Sequence, residues 1–168
     1  TRTGDVLRVT PLPGTPGSDN VRRATPDAVL DCGESGSTLR FMLPVACALG
    51  AGASLTGHGR LAQRPLSPLY EELVAGGADI SEPGTFPLTC AGRLRAGRFE
   101  LPGDVSSQYV SGLLLAAPLL GSPTEVLVSE PIESRPYIAL TISALATFGV
   151  DVSESREVVD GRPCTSFV

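Results

Sequence analysis

Ser106-Ser107-Gln108 stand directly before the apolar segment "YVSGLLLAAPL" (109–119). Each serine hydroxyl donates and accepts, and the glutamine amide can read a hydroxyl or a carboxylate. If the apolar segment is a helix, these residues sit where free backbone N–H groups and a positive dipole end meet. That combination suits an oxyanion. "CGESGSTLRF" (32–41) has the same order: glycine and hydroxyl residues first, Gly36 among them, then an apolar run with Arg40 a turn inside it. Serine, threonine and glycine are also ordinary N-cap residues, so either stretch alone supports capping as well as binding. The balance moves toward binding because both stretches are followed by Arg-Pro, at Arg64-Pro65 and Arg135-Pro136. An arginine at a helix N-terminus gains nothing from the helix dipole. Ser134, one residue before the second Arg-Pro, adds a further hydroxyl.

Other chemistries lack their residues. All 13 basic residues are arginine, so no Schiff-base lysine and no lysine-bearing phosphate loop is present. The single histidine, His58, lies in a Gly-rich turn and reads as a solvated residue without a triad partner or a second ligand at metal spacing. Cys32, Cys47, Cys90 and Cys164 form no Cys-x-x-Cys pair and read as small apolar residues of a reducing compartment. Glu34, Asp104 and Glu133 make no recognisable catalytic pair. A net charge of -5 and a pI near 4.8 make nucleic acid and anionic membranes poor partners. The longest apolar runs, about 41–49 and 113–120, each hold a proline and fall short of the roughly 20 residues of a membrane span. No signal peptide is visible. The chain begins without methionine and ends at "PCTSFV", and the expectation is a piece of a longer polypeptide.

The elements that would position these residues occur twice. "GESGSTLRFMLPVACAL" (33–49) matches "GDVSSQYVSGLLLAAPL" (103–119), and "RPLSPLYEELVAGGADI" (64–80) matches "RPYIALTISALATFGVDV" (135–152), at offsets of 70 and 71 residues. Two units follow, at about 1–83 and 84–168, within one partial domain. Each reads β-α-β-α-β-β, an α/β pattern. Strands are expected at 28–31, 53–57, 78–81 and near 86–90. In the second unit they are expected at 98–101, 125–129, 150–153 and near 164–168. Buried helices are expected over about 36–49 and 106–120. A second helix of each unit is expected to start at Pro65 or Pro136 and to end at Gly76-Gly77 or Gly149. Pro44 and Pro118 should end or kink the helices that contain them.

With "CGESGSTLRF", "GRLAQRP", "GDVSSQYVSGLLLAAPL" and "ESRPYIALTISALATFGV" in this order and spacing, the chain resembles the 5-enolpyruvylshikimate-3-phosphate synthases from about Gly4 to Val168. The resemblance implies a domain of three β-α-β-α-β-β units, two of them supplied here. It implies transfer of the enolpyruvyl group of phosphoenolpyruvate to the 5-hydroxyl of shikimate 3-phosphate, with release of phosphate. This is a step of the shikimate pathway of aromatic amino-acid biosynthesis, in the cytoplasm, without metal or organic cofactor. It further implies phosphoenolpyruvate contacts at Gly36 and Arg64, with Arg40 in support. Shikimate 3-phosphate would contact Ser106, Ser107, Ser134 and Tyr137, and Gln108 would lie between the two substrates. Glu34 departs from the asparagine of some members, and a carboxylate there must turn away from a phosphate. The family's lysine- and acid-bearing elements are absent, so catalytic groups are expected in the remainder of the polypeptide. UDP-N-acetylglucosamine enolpyruvyl transferase shares the fold and donor, but the loop 57–63 lacks its reactive cysteine. A non-catalytic anion-binding module of two repeats is the other reading.

Overall fold

The computed structural model describes residues 2–3, 6–7, 28–50 and 52–168; most of the first unit before Ala28 therefore lies outside the described residues. Two short strands, β1 (Arg2–Thr3) and β2 (Val6–Leu7), pair antiparallel. The order then runs β3 (Ala28–Asp31), α1 (Gly36–Leu49), β4 (Ala53–Thr56), α2 (Leu69–Ala75), β5 (Ala78–Ile80) and β6 (Leu88–Gly92). It repeats as β7 (Arg98–Pro102), α3 (Ser107–Ala116), β8 (Glu125–Ser129), α4 (Arg135–Thr147), β9 (Glu154–Val159) and β10 (Arg162–Phe167). The sheets run β3-β4-β6-β5 and β7-β8-β10-β9. In each, the first pair is parallel and the other two are antiparallel. The expected α/β class and twofold strand-helix order are thus those of the fold. β6 bonds to β4 and β5, so the first sheet extends through Gly92 and its junction with the second lies beyond the expected position 83.

Local chemistry accounts for the element ends. Ser35 caps α1, its Oγ accepting from the Thr38 backbone N–H at 3.1 Å. Gly50 ends the helix in the left-handed region, φ 67°, where a side chain would be strained. Pro44 neither ends nor breaks α1. It leaves the Arg40 carbonyl without its i+4 donor, and α3 presses Gly112 onto that carbonyl. A glycine is needed there because a Cβ would run into the Arg40 oxygen. Pro118 does act on its helix: α3 stops at Ala116 and a 3-10 turn, Ala117–Leu119, follows.

Two further expectations need correction. α2 starts at Leu69, not at Pro65, because a proline at position 68 disfavours helical conformation at Ser67. The stretch 150–153 is not a strand. Val150 N–H still bonds the Leu145 carbonyl at the end of α4, and only Ser153 reaches the sheet, through a reciprocal pair with Val168. Elsewhere strand ends move by one or two residues.

The core is continuous across both units. α1 and α3 lie against each other, with Gly112 on Arg40 and Pro44, and Leu39, Leu43, Val110, Leu113, Phe99, Leu101, Val126 and Val128 all belong to one buried cluster. All four cysteines are buried and unpaired. This packing places the N-terminal ends of α1, α3 and α4 beside one another.

Candidate functional site

Those three helix ends enclose an open cavity of about 610 Å³. α1 contributes Ser37, Arg40 and Phe41; the α3 end contributes Val105, Ser106, Ser107, Gln108 and Ser111. The α4 end adds Glu133, Ser134, Tyr137, Leu140 and Thr141. Six hydroxyl side chains besides tyrosine therefore face one space, with Phe41, Val105 and Leu140 supplying apolar wall.

Ser106 is the N-cap of α3, its Oγ accepting from the Gln108 backbone N–H at 3.3 Å. Ser107 opens the helix and is buried, and Ser111 one turn on bonds Thr141 Oγ1 at 2.8 Å. Ser134 sits in the left-handed region, φ 55°, and makes no side-chain cap. Its hydroxyl is thus not spent on the helix it precedes. Tyr137, 65% exposed, stands at the cavity edge.

Arg40 is half-buried and committed within the protein. Its Nη1 donates to Gln108 Oε1 at 2.7 Å and its Nη2 to the Pro65 carbonyl at 2.9 Å. Its guanidinium lies 5.2 Å over the Tyr109 ring. Tyr109 Oη donates to the same Pro65 carbonyl at 2.8 Å. Burial pushes the Tyr109 phenol above its ordinary pKa against the opposing pull of Arg40, which keeps it a neutral donor. Gln108 Nε2 donates to Ser37 Oγ at 2.8 Å. The two units are thereby joined by a polar bracket running from Ser37 through Gln108 and Arg40 to Pro65.

Gly36 and Arg64 lie beside this bracket, next to Arg40, and are outside the lining of the cavity. They touch: a Cβ on Gly36 would stand 3.0 Å from Arg64 Cδ. Arg64 is exposed and makes no ion pair among the described residues. Arg135, its sequence counterpart, differs. Its guanidinium meets Glu130 at 3.5 Å and also pairs with Glu154, so the ligand duty inferred from its position is not supported. The cation at the start of α4 is balanced by carboxylates from the preceding loop and from β9. Glu34 folds against Gly59, where no Cβ could fit beside its carboxylate. His58 is exposed, and its backbone N–H bonds the Gly33 carbonyl. Among the described residues no group of three or more His, Cys, Asp or Glu is placed to hold a metal ion. No helix among them is long and apolar enough to cross a membrane.

Ser37, Phe41, Ser111 and Thr141 were not singled out from the sequence as site residues. The signal was present as i, i+4 spacing on three helices: 37 and 41, 107 and 111, 137 and 141.

Fold and cavity together define an α/β protein of repeated β-α-β-α-β-β units with a hydroxyl-lined recess where consecutive units meet. The chain belongs to the EPSP synthase family: the family model described as EPSP synthase (3-phosphoshikimate 1-carboxyvinyltransferase) matches residues 15–163. The 3-phosphoshikimate 1-carboxyvinyltransferase of Clostridium kluyveri is 42% identical over 131 residues, covering 76% of this chain and 31% of the relative. That of Methanocorpusculum labreanum is 38% identical over 125 residues, covering 74% and 30%. The structure of EPSP synthase from Acinetobacter baumannii superposes with a TM-score of 0.62 at 29% identity, covering 84% of this chain and 30% of that one. The chain thus spans about 30% of the length of the relatives it matches.

Proposed function

We propose that this chain is the portion of a 3-phosphoshikimate 1-carboxyvinyltransferase that seats shikimate 3-phosphate and one flank of phosphoenolpyruvate. The observation that carries the reading is the cavity itself, where Ser106, Ser107 and Ser134 converge from two helix ends beside the Gln108 amide. A phosphate there meets hydroxyl donors and free backbone N–H groups, with no lysine required. Tyr137, Phe41 and Leu140 offer apolar surface to a carbocyclic ring. Gly36 and Arg64 hold phosphoenolpyruvate beside the bracket, with Gln108 between the substrates. Arg40 supports both by fixing Gln108 and Pro65. The reaction forms a bond from the shikimate 5-hydroxyl oxygen to the enolpyruvyl carbon and releases phosphate. Its proton-transfer groups belong to the remainder of the polypeptide, and neither metal nor organic cofactor takes part. The setting is cytoplasmic, with no nucleic-acid or membrane partner.

A backbone amide titration with shikimate 3-phosphate tests this. Shifts should appear first at 105–109 and 134–137, with affinity near millimolar because immobilising the ligand offsets at least about 4 kcal/mol of its contacts. Ser107→Asp should abolish the shifts by setting a carboxylate against the phosphate. Shifts centred on His58 or on residues 84–97, or unchanged in Ser107→Asp, would contradict the assignment.

A further inference from the structure

Gln108 is held from both ends, and the two holds are not equivalent. A free glutamine amide can turn over about its last torsion and exchange its oxygen with its nitrogen at little cost. Here it cannot. The Arg40 guanidinium has only donors, so the atom it meets at 2.7 Å must be the amide oxygen. The nitrogen end is then turned to Ser37, whose Oγ accepts from Nε2 at 2.8 Å. Because Oγ receives that proton, the Ser37 hydroxyl hydrogen is left to point elsewhere. Ser37 Oγ has no other hydrogen-bond partner among the described residues, and Ser37 lines the cavity. The amide likewise keeps one N–H and one lone pair beyond the bracket.

We propose that Ser37 is a positioning residue for Gln108 and a direct donor to an anionic oxygen in the cavity. It fixes which end of the amide faces the ligand, and its hydroxyl proton, freed by the amide's own donation, is offered to a ligand oxygen. Arg40 and Ser37 act as a pair: one defines the oxygen end, the other the nitrogen end. The bracket itself is independent of the proposed function; the donor role rests on that reading and names shikimate 3-phosphate as the oxyanion that receives the proton.

The test compares Ser37→Ala with Ser37→Thr in the 168-residue chain. The readouts are the Gln108 side-chain ¹H–¹⁵N pair, thermal midpoint and affinity for shikimate 3-phosphate. In Ser37→Ala the Gln108 side-chain pair should shift and draw together as one hydrogen is released to solvent. Affinity should fall about tenfold, the scale of one hydrogen bond to a charged group. Ser37→Thr keeps the hydroxyl, and both readouts should stay within about twofold of the parent. Should Ser37→Ala fail to fold, Ser37→Cys, which keeps the volume but accepts weakly, takes its place. An unchanged Gln108 pair in Ser37→Ala overturns the bracket. A Ser37→Thr chain that loses as much affinity as Ser37→Ala at equal thermal midpoint overturns the hydroxyl role in favour of side-chain size. If Gln108 responds to Ser37→Ala while the parent chain binds no shikimate 3-phosphate, the donor role and the proposed function both fall and the bracket stands.

Discussion

Gly112→Ala sets two effects of opposite sign against each other. Gly112 lies inside α3, where alanine is favoured over glycine by about 1 kcal/mol on helix propensity alone. If local propensity governed, the substitution would stabilise the chain. The structure argues otherwise. The new Cβ would collide with the Arg40 carbonyl oxygen and stand 3.2 Å from Pro44 Cγ and 3.3 Å from Arg40 C. Two of those atoms are backbone, so no rotamer change relieves the contact and α1 must retreat from α3. Overpacking of this kind costs about 1–3 kcal/mol. The retreat also stretches the 2.7 Å hydrogen bond from Arg40 to Gln108, a charge-assisted bond of about 1.5–3 kcal/mol that would be partly lost. With about half of that bond lost, the sum less the propensity gain is a net loss of about 1–4 kcal/mol. For a chain of this size that lowers the thermal midpoint by about 2–16 °C, at 2–4 °C per kcal/mol. Calorimetry or urea denaturation reads it directly, and chemical shifts of Gln108 report the widened contact. A Gly112→Ala chain as stable as the parent, or more so, would refute the claim that the α1–α3 approach is limited by backbone.

Three further outcomes are expected. Glu130 is held below its ordinary carboxylate pKa, first by the Thr165 hydroxyl at 2.7 Å, then by the Ile132 N–H and Arg135. The stability this contributes is present above the ordinary value of 4.5 and is lost as pH falls through the lower folded value. Thr165→Val should therefore destabilise by about 1–2 kcal/mol at pH 7 and progressively less on acidification, in urea titrations at stepped pH. Glu133 is an exposed carboxylate at the cavity, and Glu133→Gln should tighten shikimate 3-phosphate binding about two- to fivefold, an advantage that added salt removes. If the proposed reading holds, the 168-residue chain alone should release no phosphate from phosphoenolpyruvate and shikimate 3-phosphate, since that reading assigns the general acid–base groups, typically worth about 10²–10⁴ in rate, to the remainder of the polypeptide.

The sequence by itself determined the repeated strand-helix order and the ends of most elements. Those are set by near neighbours: Ser35 capping α1, glycine at position 50, a proline at 136 opening α4, alternating apolar residues in β7 and an unbroken apolar run in β8. Serine and glycine clusters at helix starts could be read as anion seats for the same reason, since the donors they expose belong to one turn of chain. Where local signals competed, reading failed. Pro65 looked like a helix start, but Pro68 three residues later overrode it. Tertiary structure alone decided what each arginine does. Arg64 and Arg135 occupy matching places in the repeat, yet Glu130, in the loop just before α4, and Glu154, on β9, neutralise only the second. Arg40 also ties the two units together, because Gln108 lies 68 residues away in sequence but 2.7 Å away in space. The cavity depends on the same long-range contact. Its hydroxyls are spread over residues 37 to 141, and only the close approach of α1 to α3 at Gly112, and of α3 to α4 at Ser111 and Thr141, brings them to one point.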